Sequence, residues 1–314
     1  MTKRVLHFGK FLAGGLLAIG LLLVKVPGAP QDPQDEAFTF TSDSSLVTLH
    51  VSVLDKNGKP VTTLPRSAFK VFEDNVEQPL KVFKREDVPV SMGILVDNSG
   101  SMRERSARVA AAALAMVKAS NPDDEEFIVN FNDDSFFDQP FTSNIKKLEA
   151  ALKKFSPRGG TAMRNAINGS LDYLKTDAHL DKKVLVVITD GNDNSSTETP
   201  LDALIRKVQS TDVMIYSIGL LNEEEPDEAK KAKKALKALA EASGGFDYYP
   251  KDLPEVEELT PQIAHEIRNQ YILAYTPLNL TMDGKFRALR VEVKGYGKVR
   301  AKNGYYAKAA TAKR

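Results

Sequence analysis

The chain has 314 residues, 42% of them hydrophobic and 27% charged, which is enough for one large domain or two smaller ones with hydrophobic cores. Its formal net charge of +1 provides no broad basic surface, so neither DNA nor RNA is indicated as a partner. The absence of cysteine excludes disulfides, thiolate metal sites, a cysteine nucleophile and lipid attachment through cysteine.

Residues 1–29 are typical of an export segment. Basic side chains precede an apolar stretch at residues 11–24, and Pro27-Gly28-Ala29 follow it. The stretch is shorter than the roughly 20 residues that span a bilayer as a helix, which favours a signal peptide. Pro30 would hinder cleavage after Ala29, so a retained N-terminal anchor is the alternative. Both a signal peptide and a retained anchor predict an exported protein, periplasmic or extracellular.

Residues 30–36 are polar and rich in proline, which predicts a linker. A β region is expected at residues 37–88, where Val47, Leu49, Val51 and Val53 alternate along one strand face. Asn57-Gly58 predicts a hairpin turn, and a second turn is expected at residues 73–75.

Residues 89–269 alternate between apolar runs and amphipathic segments, which predicts a mostly parallel sheet covered by helices on both faces. The expected strands lie at residues 92–96, 127–131, 184–189 and 213–219. The expected helices lie at residues 106–120, 145–155, 162–175, 201–210, 228–243 and 254–269.

Strand patterns return at residues 271–275, 287–293 and 298–301, too late in the chain for the parallel sheet. We therefore expect the strands of residues 270–306 to pair with those of residues 37–88. The predicted fold class is α/β, with a doubly wound, mostly parallel sheet inserted in a β-sandwich-like domain built from both ends of the chain. Residues 307–314 are expected to form a frayed tail.

Oxygen-bearing side chains follow two predicted strands and one loop. Asp97, Ser99 and Ser101 follow the first strand, Thr161 follows two glycines just before a helix, and Asp190 follows a central strand. Ligands of open α/β sheets collect beyond the carboxyl ends of the strands. Carboxylates and hydroxyls without histidine or cysteine suit a hard cation, so we expect Mg²⁺ or Mn²⁺.

These five residues resemble the metal-ion-dependent adhesion site (MIDAS) of von Willebrand factor type A (VWA) domains. In that family both serines coordinate the metal, the threonine does so in the high-affinity state, and the aspartates act directly or through water. The resemblance covers residues 89–269. The flanking residues resemble bacterial exported proteins whose type A domain lies between two β-rich arms.

The resemblance implies a non-enzymatic adhesion or assembly module in which a partner's Asp or Glu carboxylate completes the metal coordination. In the family, binding is coupled to movement of the last helix, here residues 254–269. Two alternatives remain at this stage. One is a structural envelope protein in which metal only stabilises the fold, and the other is a substrate-recruiting subunit of an enzyme complex.

Other candidate sites have weaker support. His265-Glu266 lacks the second histidine of a zinc-protease helix, and the loop from Asp190 to Asn194 lacks the glycine and glutamate of a calcium loop. Phe136 and Phe137 have two open interpretations, the rim of the metal site and core packing.

Overall fold

The computed structural model describes residues 46–85, 87–154, 156–191 and 193–307, without the side chains of residues 107, 108, 223 and 253. The expected export segment, the linker and most of the expected tail lie outside these ranges. Within them, no helix combines the length and the apolar character needed to cross a membrane.

The described chain contains fourteen strands and six α-helices. The strands are β1 (Val47–Leu54), β2 (Phe69–Glu73), β3 (Val76–Gln78), β4 (Val82–Arg85), β5 (Val90–Asp97), β6 (Glu125–Phe131), β7 (Ser135–Thr142), β8 (Lys182–Thr189), β9 (Met214–Gly219), β10 (Asp247–Tyr248), β11 (Tyr271–Tyr275), β12 (Phe286–Val293), β13 (Lys298–Arg300) and β14 (Gly304–Tyr306). The helices are α1 (Ser106–Ala119), α2 (Ile145–Leu152), α3 (Met163–Asp177), α4 (Leu201–Gln209), α5 (Pro226–Ser243) and α6 (Leu253–Arg268).

The central sheet has the order β10-β9-β8-β5-β6-β7, and only the β6–β7 pair is antiparallel. Successive residues of β5 enter different cores: Ile94 packs on the face that α1, α2 and α6 cover, whereas Leu95 packs on the face of α3, α4 and α5. Since side chains alternate along a strand, a strand buried on both faces must be apolar throughout, as β5 nearly is. The predicted α/β class is confirmed.

Strand β7 is an antiparallel edge strand that the sequence pattern did not predict. Its side chains are intermediate or exposed, and Pro140 lies within it. Because a proline lacks the N–H that a central strand must donate, it is tolerated at a sheet edge. Strands β10 and β14 were not predicted either, since two or three residues are too few to show a period.

Two further sheets combine strands from both ends of the described chain. Their orders are β13-β1-β11-β4 and β14-β12-β2-β3. Leu49 lies opposite Leu273 in the first sheet and Val71 opposite Val291 in the second, and the two sheets share one hydrophobic core. The expected pairing of N-terminal with C-terminal strands is therefore present, while the domain boundaries stay predictions.

The carboxyl of Glu126 on β6 lies inside the protein. Burial raises its pKa to about 8; the nearby Asp124 charge adds to this effect, and a hydrogen bond from the Ser120 hydroxyl opposes it. Its Oε2 atom has no hydrogen-bond partner among the described residues. The folded protein therefore holds this carboxyl in its protonated form at neutral pH.

We expect this carboxyl to reduce stability as the pH rises. The unfolded chain releases the proton near pH 4 to 5, whereas the folded chain retains it up to about pH 8. The free energy of unfolding should therefore fall as the pH rises between these values. In Glu126→Gln this fall should be smaller by about 2.5 kcal/mol between roughly pH 5 and pH 7. Urea unfolding at both pH values measures the difference, and equal slopes for variant and wild type would contradict it.

Candidate metal centre

The predicted metal ligands lie at one edge of the central sheet. Asp97 is the last residue of β5, and Asp190 directly follows β8. These strands are neighbours, with Val96 opposite Ile188, so the two aspartates emerge side by side. The convergence follows from strand order, because parallel neighbours end at the same sheet edge.

Hydrogen bonds link four of the five residues into one cluster. The Oγ atoms of Ser99 and Ser101 are 3.0 Å apart, and the Ser101 hydroxyl donates to Oδ1 of Asp190 at 3.1 Å. Oδ1 of Asp97 accepts from the backbone N–H of Ser99 at 2.9 Å, and its Oδ2 accepts from the Thr189 hydroxyl at 2.6 Å. The aspartates and Ser99 are buried.

Backbone contacts hold the loop that contains Thr161 against the first loop. The N–H of Gly100 donates to the carbonyl of Gly159 at 2.9 Å, and the N–H of Arg158 donates to the carbonyl of Asn98 at 3.0 Å. Thr161 is buried, and its N–H donates to Oδ1 of Asn194 at 2.8 Å. Among the described contacts, none joins its hydroxyl to the other four residues. The loop is thus adjacent, whereas a direct role of this hydroxyl stays a prediction.

Asp133, which the sequence reasoning did not assign to the site, supports the glycine loop from outside. Its Oδ1 accepts from the N–H of Gly160 and from the Ser195 hydroxyl, both at 2.9 Å. A Cβ at residue 160 would lie 2.1 Å from the Ser195 Oγ, and residue 159 has φ +74°. A Cβ at residue 160 would thus displace the polar side chains that hold the loop, and glycine suits the left-handed backbone at residue 159. Asp133 follows the end of β6, and this position was the available signal.

Arg105 is the second residue that the sequence reasoning missed. Its Nη1 lies 2.6 Å from Oδ2 of Asp190 and 2.9 Å from Oε1 of Glu224. Arg105 and Asp190 are both buried, so the charged contact between them is weakly screened. It orients the Asp190 carboxylate with Oδ1 towards the Ser101 hydroxyl. Arg105 lies beyond the strand-end loop, and no local pattern indicates its contact.

Burial shapes the electrostatics of both aspartates. It raises the pKa of Asp97 to about 6; the charge of Asp190 adds to the effect, and hydrogen bonds from Ser99 and Thr189 oppose it. Burial also raises the pKa of Asp190, and the Arg105 guanidinium opposes that change. Two carboxyls with little access to water thus lie at adjacent strand ends.

The donor set fits a hard cation. Carboxylate and hydroxyl oxygens are the ligands that Mg²⁺ and Mn²⁺ accept in proteins, and Mg²⁺ commonly uses one or two carboxylates. In the described part of the chain, no group of three or more His, Cys, Asp or Glu side chains could hold a metal ion. The expected site has only two carboxylates and depends on its hydroxyls instead.

Residues 92–192 match the family model of the von Willebrand factor type A domain, from β5 to the loop after β8. Over these residues the chain is similar to a von Willebrand factor type A domain. The match contains all five predicted ligands. A comparison with curated proteins gives no match.

Solved structures with a similar fold share little sequence with the chain. A von Willebrand factor type A protein from Catenulispora acidiphila is 14% identical, with a TM-score of 0.49, over 85% of this chain and 74% of that one. The von Willebrand factor domain of a type V pilus tip protein from Porphyromonas gingivalis is 14% identical, with a TM-score of 0.47, over 58% and 97%. Proximal thread matrix protein 1 from the mussel byssus, with a zinc-occupied MIDAS motif, is 17% identical, with a TM-score of 0.46, over 62% and 49%. These similarities concern the fold alone.

The two phenylalanines of β7 differ in their surroundings. The ring of Phe137 lies 4.7 Å from that of Tyr173 and 5.9 Å from that of Phe127, so one side of it packs on the protein. Phe136 is 42% exposed and lies opposite Asn130, whose Oδ1 accepts a hydrogen bond from Asn98 in the first site loop. The rim interpretation therefore suits Phe136, and partial packing suits Phe137.

Proposed function

We propose that the type A domain binds Mg²⁺ or Mn²⁺ and uses it to bind another protein. The proposed ligands are Asp97, Ser99, Ser101, Thr161 and Asp190. The observation that carries the proposal is the contact of three loops at one sheet edge, with the Ser101 hydroxyl joining the first loop to Asp190. The function is one of binding, and we assign no catalytic residue.

A metal bound here would supply a positive centre with a coordination position for a carboxylate from outside. The protein ligands carry two negative charges, which do not saturate the coordination of a divalent cation. We therefore propose a partner that presents an Asp or Glu side chain. In a partly desolvated niche, a charge-assisted contact of this kind is strong.

The surrounding residues would prepare the site for a partner. Arg105 holds Asp190 on its Oδ2 side, and Asp133 holds the glycine loop through its backbone. The exposed Phe136 offers an apolar contact one strand away from the first site loop. We propose that the partner carries an apolar residue near its acidic one.

Export and membrane association are part of the proposal for the whole protein. They are supported by the apolar stretch at residues 11–24 and the basic side chains that precede it. We propose a periplasmic or extracellular location. N-terminal sequencing of the mature protein would distinguish cleavage after Ala29 from a retained anchor.

The metal proposal is tested by isothermal titration of the full-length protein with Mg²⁺ and with Mn²⁺. We expect saturable binding by the wild type and at least about a tenfold loss of affinity in Asp97→Ala and in Ser99→Ala, because each substitution removes a ligand. Asp123→Ala is the matched control, since this exposed aspartate precedes β6 at the opposite end of that strand.

A loss of metal binding must be distinguished from a loss of folding. Circular dichroism must show both variants to be folded, so that a loss of binding reports the ligands. Binding of neither ion by the wild type would overturn the proposal, and so would unchanged affinity in both variants. A partner interaction that survives both chelation and Thr161→Ala would instead favour a structural envelope protein.

A further inference from the structure

The connection between β11 and β12 exposes apolar side chains. Leu278 is 61% exposed, Leu280 is 64% exposed and Met282 is 44% exposed, and Phe286 at the start of β12 is 37% exposed. These are four of the eight large hydrophobic residues that are exposed in the described part of the chain. Clusters of exposed apolar residues mark interaction surfaces, whereas isolated ones do not. We call residues 278–282 the apolar loop.

We call the two sheets β13-β1-β11-β4 and β14-β12-β2-β3 the arms. Hydrogen bonds tie the apolar loop to the rest of the arms. The N–H of Leu278 donates to Oε1 of Gln78 at 2.9 Å. Nη2 of Arg287 donates to the carbonyl of Thr281 and to Oδ1 of Asp283, both at 3.1 Å. The apolar side chains are therefore presented by an ordered backbone. Binding through them costs less conformational entropy than binding through a mobile loop.

The position of the apolar loop relates it to the N-terminal part of the chain. Val47 at the start of β1 lies opposite Tyr275 at the end of β11, so the loop and the incoming chain share one end of the sheet. Leu46 and Met282 line the same groove. Leu46, the first residue that the structure describes, therefore lies beside the apolar loop.

We propose that the apolar stretch at residues 11–24 is retained as a membrane anchor, the alternative to signal-peptide cleavage, and that the apolar loop contacts the same lipid bilayer. This inference rests on the membrane association proposed above. The roughly 20 residues between that stretch and β1 span at most about 70 Å when extended, so the tether permits the contact. Three apolar side chains alone bind a membrane weakly, but a tether makes their binding intramolecular and raises their effective concentration.

The charges near the loop indicate the kind of lipid contact. Lys285 is the nearest exposed cation in sequence, and its Nζ lies 3.5 Å from Oδ2 of Asp283. Arg287 also contacts Asp283, and its Nη1 lies 3.6 Å from Oδ2 of Asp74. Because these two cations and two carboxylates leave little net charge beside the loop, the contact depends on apolar side chains rather than on anionic lipid headgroups. We expect it in neutral phosphatidylcholine vesicles, with little dependence on salt.

The absence of cysteine permits a specific test. In full-length protein reconstituted in phosphatidylcholine vesicles, Leu280→Cys carries a polarity-sensitive fluorophore, and part of the lipid carries a nitroxide on its acyl chain. Phe137→Cys is the matched control, because Phe137 is 53% exposed but lies on the central sheet. We expect at least about twofold quenching of the label at position 280 and little at position 137. No quenching at position 280, or equal quenching at both, would overturn the proposal.

A second experiment distinguishes the contribution of the apolar side chains from that of the N-terminal tether. The fluorophore is placed on Thr281→Cys, with the loop either intact or carrying Leu278→Ser, Leu280→Ser and Met282→Ser together. These side chains are exposed, so the triple variant should keep the wild-type unfolding midpoint. We expect its quenching to be lost although the tether remains. A spectral shift that needs no lipid and grows with protein concentration would identify a second copy of the chain as the partner, and would overturn the lipid contact.

Discussion

Replacing Gly245 by alanine is expected to lower the free energy of unfolding by about 3 kcal/mol. Gly245 follows α5 and lies against β9, where an added Cβ would be 2.1 Å from the Ile215 carbonyl oxygen and 2.6 Å from its carbon. Both are backbone atoms of Ile215, which pairs with Leu185 of β8 in the central sheet. No side-chain rotation can therefore relieve the overlap. Either the α5–β10 connection or the sheet must shift. Urea unfolding followed by circular dichroism measures the loss.

Gly169→Ala is the matched control for this substitution. Gly169 lies within α3, and a Cβ there would have no atom within 4 Å. Because alanine restricts the unfolded chain and favours the helix, this variant should gain about 0.5–1 kcal/mol. The two Gly→Ala changes should therefore have opposite signs. A Gly245→Ala protein as stable as the wild type would show that the packing against Ile215 is looser than described.

The second large effect is expected from Glu73→Val in the core of the arms. Glu73 is buried at the end of β2, and its Oε2 accepts hydrogen bonds from the hydroxyls of Tyr275 at 2.7 Å and of Tyr305 at 2.9 Å. Burial raises the pKa of both tyrosines, so they remain protonated donors. Valine removes the carboxylate that both tyrosine hydroxyls donate to. This loss should lower the free energy of unfolding by about 3 kcal/mol.

Two milder variants test the cause of this effect. Glu73→Gln keeps an acceptor oxygen and should lose about half as much stability, and Tyr305→Phe removes one donor and should cost about 1 kcal/mol. The same urea titration ranks all three variants. A Glu73→Val protein no less stable than Tyr305→Phe would show that the carboxylate does not organise the two sheets.

Glu73 connects strands that are far apart in the sequence. Tyr275 ends β11 in one sheet of the arms, and Tyr305 lies on β14 in the other, so a single carboxylate joins both sheets. A second buried network lies between the arms and the central sheet, where Gln270 donates to the hydroxyls of Ser52 and Tyr216 at 3.0 and 3.2 Å. The arms are therefore attached to the central domain by polar contacts that no short sequence window shows.

The sequence by itself determined the central architecture and the position of the candidate site. Long apolar runs and helical periods are local properties, and each predicted helix begins and ends within two or three residues of the observed one. Asp97 and Asp190 could be assigned to one edge because residues that follow parallel strands share that edge. The alternation of β1 and the late strand patterns were likewise enough to predict that the two ends of the chain pair.

Only the tertiary structure decided the contacts that complete these features. Strand β7 became a strand because β6 offered it an edge, although its own sequence lacks a clean alternation. Arg105 reached Asp190 and Glu224 from 85 and 119 residues away along the chain, and Asp133 reached Gly160 across 27 residues. A periodic pattern reports how one segment divides its side chains between core and water. Which distant charge or hydroxyl a side chain meets depends on the packing of whole elements, and local residue spacing does not contain that information.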